Sequence, residues 1–224
     1  FAKRGGVAQG IWLALTFNPL PSARSYWDNY GVDMTDISTL ELLSKRRTVT
    51  TAFLDDPGPT DEQLRDLITI AMRVPDHGKL APWRFVALDR GVRQALAPEL
   101  RKLREIDEPD LPEASRDKVD MIFVQAPLCL VVVSTAKNHV KIPIWEQELS
   151  VGASTMNLMV AAHAMGFGAQ WLTGWATYNA DAKALLGVSE DEKIAGFIHI
   201  GTPTVPPTER PRPAVDDHLQ FLTL

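Results

Sequence analysis

The sequence predicts an α+β fold in which a small mixed or antiparallel sheet is flanked by helices. Three observations carry this. Helical and strand patterns alternate without a regular βαβ rhythm. Only four segments read clearly as strands, and one of them, 127–133 (Pro-Leu-Cys-Leu-Val-Val-Val), is an uninterrupted apolar run of the kind buried in a sheet. The longest helical pattern, 144–165, is largely apolar and carries small residues at Gly152, Ala153, Ser154, Ala161 and Ala162. Such a helix belongs in the centre of a domain or against a partner subunit.

In chain order, the first methionine is Met34, and helical patterning starts just after it. Residues 1–33 are expected to lie outside the fold, as an N-terminal extension, with 34–224 forming a single domain. Asp36 or Ser38 can cap a helix over 39–45 with Leu40, Leu43 and Ile37 on one face. It runs into Lys45-Arg46-Arg47-Thr48. Residues 55–59 form a loop. Thr60 and Gln63 make a capping box that opens a helix to about Met72, with Leu64, Leu67, Ile68 and Ala71 at helical spacing.

Residues 72–85 then read Met-Arg-Val-Pro-Asp-His-Gly-Lys-Leu-Ala-Pro-Trp-Arg-Phe. Prolines and glycine stop the helix and fix a loop. The segment is either a helix-to-strand connector with Trp83 on the core, or a loop that offers cations and an imidazole to a planar, phosphorylated ligand. A strand over 85–88, a helix over 91–103, a polar loop at 105–112 and a helix over 113–124 follow. After strand 127–133 and helix 144–165, Gly166 and Gly168 end the helix. The remainder reads as a strand at 170–173, a helix at 181–186 and an alternating strand at 194–200. The tail at 203–213 holds five prolines, which favours an extended arm.

Composition bounds the function. The chain has 224 residues, 45% hydrophobic and 23% charged, enough to bury a core. A net charge of −5 argues against a nucleic-acid partner. A lone cysteine, Cys129, excludes an intrachain disulfide and reads as a core residue. This usage is that of a reducing cytoplasm. No apolar run is long enough to span a membrane. G-x-S-x-G, Walker A and G-x-G-x-x-G motifs are absent, so neither a nucleophile elbow nor a P-loop or Rossmann site is supported. The five histidines lack metal-ligand spacing, and no metal is expected; His163 and His199 read as core or interface groups.

Arg46, Arg47 and Thr48 are the remaining candidate constellation. Basic residues complement a helix C-terminus, and on these residues alone a solvated helix end is the favoured reading. Two guanidinium forks and a hydroxyl can also converge on one phosphate dianion.

With these pieces placed, the order of motifs resembles the FMN-dependent nitroreductase family, in particular its compact bacterial branch with a Pro-Asp-His loop. The matching residues are Glu41-Leu42-Leu43 with Arg46-Arg47-Thr48, then Met72-Arg73-Val74-Pro75-Asp76-His77 with Pro82-Trp83. They continue through Pro143 with Trp145-Glu146-Gln147-Glu148, Gly166-Phe167-Gly168 before Trp171, and Gly196-Phe197 through Gly201-Thr202-Pro203. The branch usually has serine where Thr48 stands; the hydroxyl is kept.

The resemblance, which spans about 37–205, implies a nitroreductase-like α+β sandwich working as an intertwined homodimer, with FMN at the subunit interface. It places Arg46, Arg47 and Thr48 on the flavin phosphate and ribityl side, Arg73 and His77 on the flavin, and Trp171, Leu172 and Thr173 as a second wall. It assigns Ala161, Ala162, His163, Ala164, Met165 and Gly166 to NAD(P)H contact, and offers Arg210 or Arg212 to the phosphate. Trp83 returns to the core. The implied activity is that of an NAD(P)H oxidoreductase: ping-pong hydride transfer through flavin N5 to a nitroaromatic, quinone or related small acceptor. No protein group is then obligatory as catalytic acid or base. The alternatives are reductive dehalogenation or flavin breakdown on the same fold, and a flavin-binding protein without turnover.

Overall fold

A computed structural model describes residues 39–112, 115, 123 and 125–223. The expected extension at 1–33, the cap at Asp36 or Ser38, and nearly all of the helix expected at 113–124 lie outside the described residues.

The element order is α1 (Thr39–Lys45), β1 (Leu54–Asp55), α2 (Asp61–Ala71), β2 (Trp83–Leu88), α3 (Arg90–Asp107), β3 (Leu128–Ser134), α4 (Ile144–Ala164), β4 (Gly168–Leu172), α5 (Trp175–Tyr178), α6 (Ala180–Leu185) and β5 (Lys193–Pro203). The five strands form one wholly antiparallel sheet, so the fold is α+β. Its centre is β5. One edge of β5 pairs with β3, from Leu128↔Ile200 to Ser134↔Lys193, and β3 pairs in turn with β2. The other edge pairs with β4, and β1 continues that edge at Leu54↔Pro203.

Side-chain alternation on β3 divides the core. Leu130 and Val132 face a layer made by α2 and α4, with Leu67, Ala71, Leu158, Met159 and Ala162. Cys129, Val131 and Val133 face a second layer with Leu100, Phe123, Ala182 and Leu186. Cys129 is fully buried in that layer, and burial pushes its thiol up to about 12. It is a core residue. Trp83 is half-buried against the α2–α4 layer.

Most expected elements recur, with informative differences. The capping box at Thr60 is present: Gln63 N donates to Thr60 Oγ1 at 3.3 Å, and Thr60 N donates to Gln63 Oε1 at 3.0 Å. Helix α3 runs four residues beyond its expected end and contains Pro98. The fifth strand, β1, lies at the edge of the expected 55–59 loop; two residues are too few for a periodic signal. β5 continues through Gly201-Thr202-Pro203 and pairs there with β1; Gly201 fits because a Cβ on it would lie 2.6 Å from Pro127 Cδ and 3.1 Å from the Asp55 carbonyl. On α1, Leu42 is the buried residue, whereas Leu40 and Leu43, the expected inner face, are exposed.

Candidate functional site

The chain leaves α1 with Arg46 N donating to Leu42 O (2.9 Å), and joins the sheet with Val49 N donating to Ala169 O (3.2 Å). Arg46, Arg47 and Thr48 are therefore strung between the end of α1 and the start of β4. Glycine at 168 permits this approach: a Cβ there would lie 2.7 Å from Leu54 Cδ2 and 3.1 Å from Val49.

The proline-rich tail returns to the same place. Arg47 Nε donates to Thr208 O at 3.0 Å. Glu209 lies 3.7 Å from Arg47 Nε and 3.2 Å from Arg212 Nη2. Burial, then Arg212 and Arg47, press the Arg46 pKa down from its ordinary value. Two guanidiniums, Arg47 and Arg212, thus share one carboxylate, Arg46 lies within range of both, and Arg212, not Arg210, is the tail arginine that repels Arg46.

His163 braces this arm from below. Its Nε2 is 2.7 Å from Arg47 O and its Nδ1 is 2.7 Å from Met159 O. Burial and, more weakly, Arg46 lower its pKa, although both carbonyls act the other way. A neutral ring donates to one of these carbonyls at a time, and a charged ring donates to both. Around it α4 ends in a Schellman motif: Gly166 at φ 86°, Gly166 N donating to His163 O, and Phe167 N donating to Ala162 O. Consequently Ala161, Ala162, His163 and Gly166 are buried, Met165 is half-buried, and Ala164 is the exposed member of that segment.

Trp171 lies on β4 with its indole Nε1 donating to Ala195 O at 3.0 Å. Leu172 is half-buried and Thr173, just past the strand, is exposed. Beside them opens a small cleft of about 80 Å³, walled by Phe123, Leu172, Trp175 and Phe197, with Thr173 and Arg104 among its lining. Phe123 and Phe197 meet edge to face, with centroids 5.2 Å apart.

Arg73 and His77 lie elsewhere. The loop carrying them runs along α4 toward its N-terminus. Asn157 Nδ2 donates to Arg73 O at 3.0 Å, Ser150 Oγ donates to Pro75 O at 2.7 Å, and His77 Nδ1 lies 2.6 Å from Glu146 Oε2. Glu146 and His163, the α4 residues that touch His77 and the Arg47 arm, are seventeen residues apart, roughly 25 Å along the axis at 1.5 Å per residue. Asn157, which holds Arg73, is six residues from His163, about 9 Å along the same axis. Within one chain the candidate residues thus fall into two groups. One is the arginine arm with the β4 wall; the other is the loop with Arg73 and His77.

Sequence reasoning placed Glu146 in a matching motif without assigning it a partner, and passed over Ser150 and Asn157. Their signal was a polar stripe at i, i+4 and i+11 on an otherwise apolar helix. Among the described residues no group of histidine, cysteine, aspartate and glutamate is arranged to hold a metal ion. No described helix is long and apolar enough to cross a membrane.

The nitroreductase family model matches residues 43–202. An Escherichia coli (strain K12) protein named "Putative NAD(P)H nitroreductase YdjA" is 35% identical over 167 residues, covering 75% of this chain and 89% of its own. A Haemophilus influenzae protein of the same description is 32% identical, with 74% and 89% covered. Among solved structures, a nitroreductase-like family protein from Bacillus cereus superposes with a TM-score of 0.70 at 22% identity, covering 83% of this chain and 96% of that one. Iodotyrosine deiodinase bound to FMN and 3-iodo-L-tyrosine superposes with a TM-score of 0.61 at 19% identity, with 83% and 99% covered. The family match begins inside α1, takes in Arg46, Arg47, Arg73, His77 and Trp171, and ends on the last residues of β5; this chain belongs to the nitroreductase family.

Proposed function

We propose that the protein is an FMN-dependent NAD(P)H oxidoreductase of nitroreductase type that acts as a homodimer, reducing a small acceptor such as a nitroaromatic or a quinone. One observation carries the reading: His77 and the Arg47 arm contact α4 at Glu146 and His163, roughly 25 Å apart along its axis, so His77 and the arm of one chain are not drawn to one point. A second copy supplies the missing half, with the arginine arm of one protomer facing the loop of the other. The exposed Leu40 and Leu43 on α1, and Trp145 and Leu149 on α4, are apolar surface that such a pairing covers.

The chemistry of the arm fits the phosphate of FMN. Arg47 and Arg212 share one carboxylate, Glu209, and burial, then the charges of Arg212 and Arg47, lower the Arg46 pKa beside them. A phosphate dianion supplies negative charge and accepts guanidinium forks. Thr48 offers a hydroxyl beside it. Trp171, Leu172 and Thr173 form the wall against which a planar ring packs, and Arg73 and His77 bring donors from the partner's loop. Bound flavin supplies the redox chemistry, accepting electrons from a nicotinamide and passing them to the acceptor. The chain's own work is to bind, orient and exclude water. Support also comes from relatives whose names describe NAD(P)H nitroreductases, and from an FMN-bound neighbour of the same fold.

Two experiments test this. Purified protein incubated with FMN should turn yellow and bleach on anaerobic addition of NADH or NADPH; protein that stays colourless overturns the flavin reading, and bound flavin that does not bleach overturns turnover. Co-expression tests the shared site. A chain carrying Arg46→Ala and Arg47→Ala, paired with one carrying Arg73→Ala and His77→Ala, should regain one intact site per heterodimer. No recovery over either mutant homodimer would place each site within one chain.

A further inference from the structure

Helix α4 presents a polar stripe to the loop at 73–81. Glu146, Ser150 and Asn157 fall within about 40° of one another around the axis, and each holds a successive point of that loop. Asn157 Nδ2 takes the carbonyls of Ile70 (3.4 Å) and Arg73 (3.0 Å), Ser150 takes that of Pro75 (2.7 Å), and Glu146 takes the ring of His77 (2.6 Å). Ser150 is buried.

The loop is also locked from within. The Asp76 carboxylate accepts Leu80 N at 3.0 Å through one oxygen and Ala81 N at 2.9 Å through the other. Gly78, Lys79 and Ala81 take φ values of 73°, 55° and 47°, a left-handed conformation that residues with a Cβ avoid. Gly78 is held against Ile142: a Cβ on it would lie 2.3 Å from Ile142 Cδ1. Strain of this kind persists where the surroundings over-determine it, and it marks functional loops.

We infer that Glu146 is the positioning residue for His77. Its carboxylate accepts the Nδ1 proton, which sets the tautomer and the ring plane. Nε2 is thereby left as the nitrogen that meets the ligand in the shared site; the ligand's identity as flavin rests on the proposed function. An exposed contact between two polar side chains normally contributes little, because two flexible side chains must be ordered to form it. Here the backbone of the His77 loop is already ordered by Ser150, Asn157 and Asp76, so much of that ordering is in place before the pair forms.

The other charged groups near His77 are otherwise engaged or are cationic. On the loop, the Asp76 carboxylate is held by two backbone N–H groups, and Arg73 and Lys79 carry positive charge. On α4, Glu148 pairs with Lys193 at 2.7 Å. On the segment beneath Gly78, His139 accepts the backbone N–H groups of Lys141 and Ile142, and Lys141 is cationic. Among the described residues Glu146 is the carboxylate that His77 reaches.

The test reads the tautomer directly, by ¹⁵N NMR of the His77 ring in flavin-free protein at a pH where the ring is neutral. Wild type should hold the Nδ1–H form. Glu146→Ala should revert to the Nε2–H form that a free imidazole favours, and Glu146→Gln, which keeps a carbonyl acceptor, should retain Nδ1–H. A wild-type ring already in the Nε2–H form, or one unchanged in Glu146→Ala, overturns the inference. FMN titration supplies the second arm. Glu146→Ala and His77→Ala should each weaken FMN by roughly 2- to 10-fold, and the double variant by no more than His77→Ala alone, as for residues acting through one contact. Additive losses overturn the positioning role. Absence of FMN binding in wild type overturns the proposed function, while the tautomer measurement still decides the inference.

Discussion

Replacing Arg212 with alanine tests the arginine arm most directly. Arg212 shares Glu209 with Arg47 and helps to press down the Arg46 pKa, so it stands where a phosphate would be gripped. A charge-assisted hydrogen bond is worth about 1.5–3 kcal/mol. The Arg212 side chain is 45% exposed, so solvent screening places the expected loss near the lower end, about 1.5 kcal/mol, or roughly tenfold in Kd. The assay is quenching of flavin fluorescence, titrated in parallel with FMN and with riboflavin, which lacks the phosphate. Arg212→Ala should weaken FMN about tenfold and leave riboflavin unchanged, with Arg210→Ala near wild type for both. Glu209→Gln should act oppositely on FMN, because the carboxylate that competes with the phosphate is neutralised. Equal losses for FMN and riboflavin would refute a phosphate contact, and a larger loss in Arg210→Ala would refute the choice of arginine.

Other perturbations reach the site and its supports. Gly196→Ala places a methyl 2.1 Å from Trp171 Nε1 and 2.4 Å from Cδ1; it should displace the indole, break its bond to Ala195 O and cost about 1–3 kcal/mol by overpacking. An unchanged near-UV circular dichroism spectrum would contradict this. Arg93 is fully buried and donates to the carbonyls of Phe123 and Pro127, both at 2.6 Å. Arg93→Met leaves both carbonyls unpaired and should destabilise the fold by about 2–5 kcal/mol in urea unfolding; a change below about 1 kcal/mol would show that they find other partners. Arg84 donates to both oxygens of Glu192 and holds its pKa at about 2, against 4.5 when unfolded. A depressed carboxylate pKa stabilises above the unfolded value and loses that contribution as pH falls from about 4.5 toward 2. The Tm of Glu192→Gln should therefore be lower than wild type at neutral pH and converge with it over that window. Parallel curves would rule the linkage out.

Much of the fold was legible because its signals are local. The Thr60–Gln63 capping box, the apolar run of β3 and the small-residue pattern of α4 each depend on residues a few positions apart. The five-strand count was not legible, since β1 is two residues long and exists only because β5 extends past Gly201 to meet it. The inner face of α1 was misjudged for a similar reason. Leu42, not Leu40 or Leu43, is buried, because so short a helix takes its inner face from what it packs against and not from its own period.

The site divides along the same line. The sequence by itself determined which chemistry is present: arginines with a hydroxyl after α1, an imidazole in a proline-bounded loop, and an aromatic wall on β4, all in an order that matches one family. Residue type and spacing along the chain suffice for that. Only the tertiary structure decided what stands beside what. It brought Arg212 to Arg46 across more than 160 positions of sequence, and it enclosed His163 at a helix end. It also set Glu146, Ser150 and Asn157 against the His77 loop and parted His77 from the arginine arm along α4. Those relations depend on distances through space that no local pattern encodes, and they turn a set of suggestive side chains into an arrangement on which the proposed shared site rests.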